Sequence, residues 1–281
     1  MLQKTAVPIK VKGNPLVSVV ITTRNEEKNI ENCLRSVKDQ TFKNIELIVV
    51  DNFSNDRTVE FAKKFTQKFY SKGPERSTQR NCGAEISSGE YLLYLDADMI
   101  ASPDLVEECV EKCEIDGFDA LYIPERIVGE GFWIKVRNFE RSFYNGTVID
   151  AVRFIRKDLF ERIGGFDESL TGPEDWDFDR RIRKIGQAGI VNVALYHNEG
   201  GFNMVKYLEK KKYYTSGIKN YVSKWGSRDP EVTKQVGVLY RLIGVFVEKG
   251  KWKKLVKQPL LTIAMYYLRF RVALGYRQSM K

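Results

Sequence analysis

The sequence predicts an α/β protein with a mostly parallel, twisted sheet flanked by helices and a helical C-terminal appendage. Short β-branched segments alternate with segments whose apolar residues recur every three or four positions, as strands alternate with helices. A chain of 281 residues can bury one large core with a small appendage. Charge divides this chain: residues 206–281 hold 18 Lys or Arg and 4 Asp or Glu, a balance of +14, which leaves −5 for residues 1–205 within the total of +9.

The first two strand–helix units are predicted at the N-terminal end. Residues 17–23 form a β-branched run bounded by polar residues, which indicates a buried strand. A helix follows, with Asn25 as its N-cap and acidic residues in its first turn. Residues 45–50 repeat the strand pattern, and Asp56 caps a second helix whose apolar face runs to Phe69. This spacing predicts βαβ units, and therefore parallel pairing with right-handed crossovers.

The later elements follow the same alternation. The sequence predicts a helix at about residues 76–87, a strand from Tyr91, a helix opened by Ser102 and Pro103, an amphipathic helix within residues 129–145, and a helix after Glu174 with Phe178, Ile182 and Ile185 buried. We expect residues 1–205 to form one α/β domain and residues 206–281 a basic, aromatic-rich helical region.

The C-terminal region mixes aromatic with basic residues, which suits helices lying on an anionic membrane surface. Solvated basic helices packed on their own domain are the alternative, and the sequence leaves both open. We expect no signal peptide, and no apolar stretch reaches the ~18 residues that a bilayer span needs. The cysteines form no Cys-x-x-Cys pair and are expected to be buried thiols in a reducing compartment; they are Cys33, Cys82, Cys109 and Cys113. We therefore expect a cytoplasmic location. From the basic, aromatic C-terminal region we expect contact with the cytoplasmic face of the membrane.

The run YLLYLDADMI places Asp96 and Asp98 one residue apart at the end of an apolar segment. Residues just past the C-terminal end of a parallel strand lie where open α/β sheets bind ligands. Hard oxygen ligands at such a place favour Mg²⁺ or Mn²⁺ bridging a diphosphate. Carboxylates are also common in solvated turns, and the triplet alone leaves that alternative open.

Polar side chains at the ends of the first two strands converge on one edge of the predicted sheet; they are Thr22, Thr23, Asn25, Glu26 and Asp51. An aspartate there can accept hydrogen bonds from a base or ribose, or it can cap its own turn. Arg76 and Arg80 lie about one helical turn apart at a predicted helix start, where arginine could clamp a nucleotide or its phosphates.

A glycine-rich loop, GGFDESLTGPEDW, delivers Glu174 and Asp175 to a helix N-terminus. A carboxylate there stays ionised, as a general base must be before it takes a proton, although acidic residues in a first turn are also ordinary helix stabilisers. Trp176 packs either in the core or against the face of a sugar. His197, the only histidine, follows an apolar run; such a residue is often structural, but imidazole is also a competent further ligand to Mn²⁺.

These motifs, in this order from about residue 17 to residue 200, resemble glycosyltransferase family 2, the inverting nucleotide-sugar enzymes with the GT-A (nucleotide-diphospho-sugar transferase) fold. The matching segments are VSVVITTRNEE, LIVVDNFSNDRT, RSTQRNCGAEISSGEYLLYLDADM, GGFDESLTGPEDWDFDRRI and HNEG. The resemblance implies Mn²⁺ or Mg²⁺, a UDP- or GDP-sugar donor, and an acceptor hydroxyl on a glycan or polyprenyl-linked glycan. The tail pattern, HxE followed by KKKYY, is similar to members that build lipid-linked glycans or cell-surface polysaccharides.

The same resemblance implies a role for each candidate residue. Asp51 and Arg80 would contact the base, Asp96 the ribose or base, Asp98 and His197 the metal, and Glu174 the acceptor, with Asp175 as catalytic base beside Glu174. Trp176, from its position beside these carboxylates, is a further candidate for the acceptor. Inverting transfer needs one base and one metal but no covalent nucleophile, in agreement with the lack of a Ser-His or Cys-His pattern around the sole histidine.

Other classes of protein remain as alternatives. A nucleotidyltransferase also uses paired carboxylates and metal on an α/β sheet, but the Gly-Pro-Glu-Asp-Trp loop and the acidic front of the chain argue against it. The basic, aromatic tail suits a nucleotide- or nucleic-acid-binding module, which would leave the carboxylate motifs without a role; we expect no nucleic-acid partner. A membrane-associated protein with a dead site is disfavoured because Asp98 and Asp175 are both present.

Overall fold

The central sheet is built on strands that are apolar on both faces. The computed structural model describes residues 13–215 and 217–279. In it, all 7 residues of β1 (Val17–Thr23) are buried, and β1 pairs in parallel with β2 (Ile45–Asp51) and β4 (Tyr91–Asp96). Continuous apolar runs of this kind are typical of parallel strands covered by helices on both faces. The predicted parallel α/β sheet is confirmed.

The other strands complete this sheet and form a second one. They are β3 (Phe69–Ser71), β5 (Met99–Ala101), β6 (Ala120–Tyr122), β7 (Glu125–Glu130), β8 (Val152–Arg156), β9 (Ala188–Ile190) and β10 (Leu195–Gly201). The large sheet has the order β3-β2-β1-β4-β8-β6-β9, in which β8 runs antiparallel to both neighbours. A small sheet, β5-β10-β7, was not predicted from the sequence, and its central strand carries His197.

Helices cover the sheet and continue to the C-terminus. They are α1 (Ile30–Lys38), α2 (Thr58–Ala62), α3 (Arg76–Glu85), α4 (Leu105–Asp116), α5 (Phe132–Arg141), α6 (Lys157–Arg162), α7 (Glu174–Ile185), α8 (Met204–Thr215), α9 (Ile218–Trp225), α10 (Pro230–Val236), α11 (Val245–Val247), α12 (Trp252–Lys257) and α13 (Pro259–Ser279). A π-helical turn, Tyr240–Gly244, precedes α11, and a 3-10 turn, Glu248–Gly250, follows it.

Several local predictions are wrong. Asn25 does not cap α1, because it has a φ of 54° in the preceding loop, where its Oδ1 accepts a hydrogen bond from the Asn55 amide at 2.9 Å. Phe69 lies in β3 rather than on the second helix, because parallel pairing with β2 satisfies its backbone. Ile185 is 53% exposed, since the last turn of α7 leaves the core.

The C-terminal helices pack on the α/β part through a separate apolar cluster. Phe143, just after α5, contacts Phe246 with ring centroids 5.1 Å apart, and Met265 and Leu268 of α13 are fully buried in the same cluster. This packing was one of the two alternatives for the region. The opposite face of α13 is apolar and exposed, with Leu260 at 67% and Ile263 at 70%. No helix among the described residues is both long enough and apolar enough to span a membrane.

Candidate active site

Strand register brings the polar strand ends to one edge of the sheet. Thr22 at the end of β1 pairs with Asp96 of β4, and Thr23 pairs with Asp51 of β2. The Thr22 hydroxyl donates a hydrogen bond to Asp96 Oδ1 at 3.1 Å. Carboxyl ends of parallel strands meet at one edge, which is the usual ligand site of open α/β sheets.

A cavity of about 1010 Å³ opens at this edge, beneath the C-terminal helices. Most of the predicted site residues line it; these are Thr22, Thr23, Glu26, Arg76, Asp96, Asp98, Asp175, Trp176 and His197. Asn25, Asp51, Arg80 and Glu174 are not among its lining residues. The Asp51 carboxylate accepts a hydrogen bond from the Ser54 amide at 2.8 Å, so in this structure it caps its own turn.

Asp96 lies at the cavity wall and is held between arginines. Arg80 Nη2 lies 3.2 Å from Asp96 Oδ1, while Arg76 and Arg153 approach Oδ2 at 3.7 and 3.8 Å. Burial alone would raise the pKa of Asp96, but the charges of Arg80, Arg153 and Arg76 hold it well below its usual range. Asp96 is therefore a fixed negative charge at the end of β4.

Glu174 and Asp175 open α7 but face different surroundings. The Asp175 side chain is 24% exposed and lines the cavity, and its Oδ1 accepts from Arg80 Nη1 at 2.7 Å. Glu174 is only 3% exposed, and its Oε1 accepts from Arg76 Nη2 at 3.1 Å. Burial first, and then the charge of Asp175, raise the pKa of Glu174. Of the two carboxylates, Asp175 is the one that a substrate can reach.

Asp98 and His197 form the remaining acidic corner of the cavity. His197 Nε2 lies 2.9 Å from Asp98 Oδ2, because β10 pairs with β5 directly after Asp98. Burial lowers the pKa of His197, but the hydrogen bond and charge of Asp98 outweigh it and raise the pKa. Asp98 Oδ1 is buried without a hydrogen-bond partner in the described part of the chain. Glu26 also lines this corner, and burial followed by the charge of Asp98 raises its pKa.

A divalent cation fits Asp98 and His197 chemically. An unpartnered carboxylate oxygen beside an imidazole nitrogen is an N,O donor set that suits Mn²⁺ better than Mg²⁺. Within residues 13–215 and 217–279, no three His, Cys, Asp or Glu side chains form a metal-binding cluster. Among the described residues the site therefore offers Asp98 and His197 as ligands, and the others would have to come from a diphosphate and water.

A layer of charged residues along the cavity wall was not predicted from the sequence. Arg153 of β8 lies 2.8 Å from Glu125 of β7, and Arg141 of α5 also contacts Glu125, at 3.0 Å. Arg137 is paired with Glu140 at 2.8 Å. An arginine inside the apolar strand VRFI was the available signal, since a charge there needs a buried partner.

The chain matches the family model described as glycosyl transferase family 2 over residues 18–166, which is more than half of its length. The chain therefore belongs to glycosyl transferase family 2, as its motifs predicted. An uncharacterized glycosyltransferase of Haemophilus influenzae is 28% identical over 179 residues, or 58% of this chain and 60% of that protein. The match thus spans less than two thirds of that relative.

Solved structures share the fold. The mannosyltransferase PcManGT from Pyrobaculum calidifontis, in complex with GDP-Man and Mn²⁺, is 18% identical with a TM-score of 0.59, covering 97% of this chain and 85% of that one. Residues 1–349 of S. aureus TarS, in complex with UDP-GlcNAc, are 18% identical with a TM-score of 0.56, covering 94% and 92%. The GT-A fold prediction is confirmed.

Proposed function

We propose that the chain is an inverting, metal-dependent glycosyltransferase. It moves a sugar from a UDP- or GDP-sugar to a hydroxyl of a glycan or lipid-linked glycan. One observation carries the proposal: a reachable carboxylate, Asp175, and the Asp98–His197 pair line the same cavity. A single base and a single cation site are what displacement of a nucleoside diphosphate by a hydroxyl requires.

The donor half of the site is assigned to the sheet edge. Asp98 and His197 would hold Mn²⁺, or Mg²⁺ with lower preference, and a bound cation supplies positive charge to the departing diphosphate. The GDP-Man and Mn²⁺ complex of PcManGT and the UDP-GlcNAc complex of TarS support this assignment. Thr22, Thr23 and Glu26 line the cavity near these two residues and are assigned to the nucleotide.

The acceptor half is assigned to the start of α7. Asp175 takes the proton of the acceptor hydroxyl, whose oxygen bonds to the anomeric carbon. The bond from that carbon to the diphosphate oxygen breaks on the opposite face, and its electron pair leaves with the nucleoside diphosphate. Arg80 fixes the carboxylate through Asp175 Oδ1, leaving Oδ2 without a partner in the part of the chain described. Trp176 offers a ring for the acceptor sugar, whereas Glu174 is better placed to position Arg76.

Thermal unfolding with a panel of nucleotides tests the donor assignment. UDP or GDP at 100 times its Kd, together with Mn²⁺, should stabilise the protein by about 2.7 kcal/mol. For a chain of this size that corresponds to a rise in Tm of roughly 5 °C. Adenosine and cytidine diphosphates serve as base controls. No stabilisation by any nucleoside diphosphate with Mn²⁺ or Mg²⁺ would remove the proposal.

We also propose that the C-terminal region docks on the cytoplasmic face of a membrane that carries the acceptor. The outer face of α13 supports this, with exposed apolar residues at helical spacing: Leu260, Ile263, Tyr267 and Phe270. Lys253, Lys254 and Lys257 of the adjacent α12 add positive charge. Apolar burial and attraction to anionic lipid act together in such helices, with each basic residue near the surface worth about 1 kcal/mol.

A further inference from the structure

Phe53 has a strained backbone and an exposed aromatic ring. Its φ of 51° lies in the left-handed region, which residues other than glycine, asparagine and aspartate rarely adopt. The side chain is 70% exposed, so burial of the ring offsets little of that strain. Strained residues are concentrated at active sites and ligand clamps. Phe53 is therefore a candidate for contact with a ligand rather than with the core.

The loop that carries Phe53 is fixed on both sides of this residue. Asn52 is 8% exposed, and its backbone amide donates a hydrogen bond to the Thr23 carbonyl at 2.8 Å. The Ser54 hydroxyl accepts a hydrogen bond from the Asn25 amide at 2.7 Å. The loop after β2 is thus bound to the end of β1 and to the loop that follows it. The backbone from which the ring projects is held in place before any ligand binds.

The ring lies at the edge of the cavity, beside residues that line it. Asn52 and Pro74 both line the cavity, and the Asn52 side-chain amide donates a hydrogen bond to the Pro74 carbonyl. A Cβ on Gly73 would collide with Asn52 and would lie 3.4 Å from Phe53 Cε2. Glycine at residue 73 therefore lets the loop after β3 approach the Phe53 ring closely. The ring borders the loop that closes this end of the cavity.

The strand order places Phe53 two strands away from the proposed metal ligand. Within the order β3-β2-β1-β4, Asp98 follows β4 and Phe53 follows β2, so two strand spacings, or roughly 10 Å, separate the strand ends. The helix α7, which carries Asp175, packs against β8 on the other side of β4. A nucleotide with its diphosphate at Asp98 and its sugar facing Asp175 therefore has its base directed across β1 towards β2.

We propose that the Phe53 ring stacks on the base of the donor nucleotide. An aromatic ring can stack on any base, because every base presents a π-face, and the exposed ring of Phe53 has room for one. The inference rests on the proposed function, because it requires a nucleotide donor. It adds an apolar contact with the base to a sheet edge whose other candidate donor-binding residues are polar.

Calorimetric titration of the full chain separates the base contact from the metal site. The probes are UDP and GDP, each with Mn²⁺, and inorganic pyrophosphate with Mn²⁺, which has no base. Phe53→Asn removes the ring and keeps a residue that tolerates positive φ. It should weaken binding of the nucleoside diphosphate about tenfold, whereas binding of pyrophosphate stays unchanged. Phe53→Tyr keeps the ring and should bind the nucleotide like the parent.

Thermal unfolding distinguishes stacking from a structural role of the ring. Phe53→Asn should unfold at a Tm equal to or above that of the parent, because asparagine relieves the backbone strain. Lys249→Asn is the matched control, since Lys249 has a φ of 53° and is exposed outside the cavity. This control should be at least as stable as the parent and bind the nucleotide unchanged.

Three results would each overturn the inference. Phe53→Asn would bind UDP and GDP like the parent, would lose pyrophosphate as strongly as the nucleotide, or would unfold at a lower Tm than the parent. The first would remove the contact, the second would indicate damage to the whole donor site, and the third would assign the ring to the fold. Failure of the parent to bind any nucleotide would instead count against the proposed function.

Discussion

Arg80 connects the sheet edge to the start of α7, and its replacement should destabilise the folded protein. The side chain is 2% exposed and bridges Asp175 at 2.7 Å and Asp96 at 3.2 Å. Charge-assisted hydrogen bonds contribute roughly 1.5 to 3 kcal/mol each, and removal of one partner from a buried pair costs about 3 to 5 kcal/mol. Asp96 keeps Arg76 and Arg153 as neighbours, and Asp175 is partly solvated. We therefore expect Arg80→Gln to lower the free energy of unfolding by about 3 kcal/mol.

Thermal unfolding followed by circular dichroism measures this cost. A loss of about 3 kcal/mol should lower Tm by roughly 5 °C in a chain of this size. Arg35→Gln is the control, because its ion pair with Glu31 is exposed, with 60% and 45% of the two side chains accessible, and such pairs contribute at most about 1 kcal/mol. A Tm of Arg80→Gln no lower than that of Arg35→Gln would refute the argument.

Three further predictions follow from the geometry. Asp175→Asn should keep donor binding but lower the transfer rate about 10²- to 10⁴-fold, measured as release of nucleoside diphosphate in the presence of acceptor; full activity would remove its role as base. Burial lowers the pKa of Lys211 in the folded protein to about 7, so the unfolded state binds more protons between about pH 7 and 10. The free energy of unfolding should therefore rise with pH in that window. Lys211→Met should remove this rise while its charged and aromatic neighbours are retained; they are Arg137, Glu140, Arg241, Arg269 and Tyr207. The same pH dependence of Tm in Lys211→Met as in the parent would contradict this prediction. Replacing Leu260 and Ile263 by Ser should reduce co-sedimentation with anionic liposomes about tenfold or more, whereas Ile115→Ser, at an exposed residue of α4, should not. Equal liposome binding by the parent and the double Ser variant would show that the C-terminal helices only pack on the α/β part.

Point substitutions are the appropriate test for the C-terminal region. Removing the chain beyond Gln235 would also remove Phe246, Met265 and Leu268, which are buried against residues of α5. Such a truncation would expose an apolar face of the α/β part and would itself change liposome binding. The Ser replacements alter only the exposed face of α13.

Sequence patterns predicted the parts of the fold that depend on local periodicity. The strands β1, β2 and β4 and the buried face of α4, with Cys109 and Cys113, follow from runs of apolar residues within one element. The small sheet could not be predicted in this way, because its strands come from three distant parts of the chain and β5 is only 3 residues long. Asn25 shows the same limit, since asparagine is favoured both at helix caps and in loops with positive φ.

In the candidate site, too, local patterns predicted single residues but not the contacts between distant parts of the chain. Residues at strand ends or helix starts, such as Asp98 and Asp175, could be predicted because parallel strands place their carboxyl ends at one edge. The pairing of Asp98 with His197 depends on β10 returning beside β5, a contact between residues 99 positions apart. Four basic residues of the cavity wall are likewise brought together by tertiary packing of α5, α8, the π-helical turn and α13, and residue type alone marked them only as basic positions; they are Arg137, Lys211, Arg241 and Arg269.

Calorimetric binding of the stabilising nucleoside diphosphate, with and without Mn²⁺, to the parent and to Asp98→Asn tests the central claim most directly. The parent should bind the nucleotide about tenfold or more tightly with Mn²⁺, and Asp98→Asn should lose that gain while keeping its metal-free affinity. Asp104→Asn, at an exposed carboxylate outside the cavity, controls for loss of one negative charge. If folded Asp98→Asn shows the same Mn²⁺ dependence as the parent, the assignment of the metal-dependent donor site is contradicted.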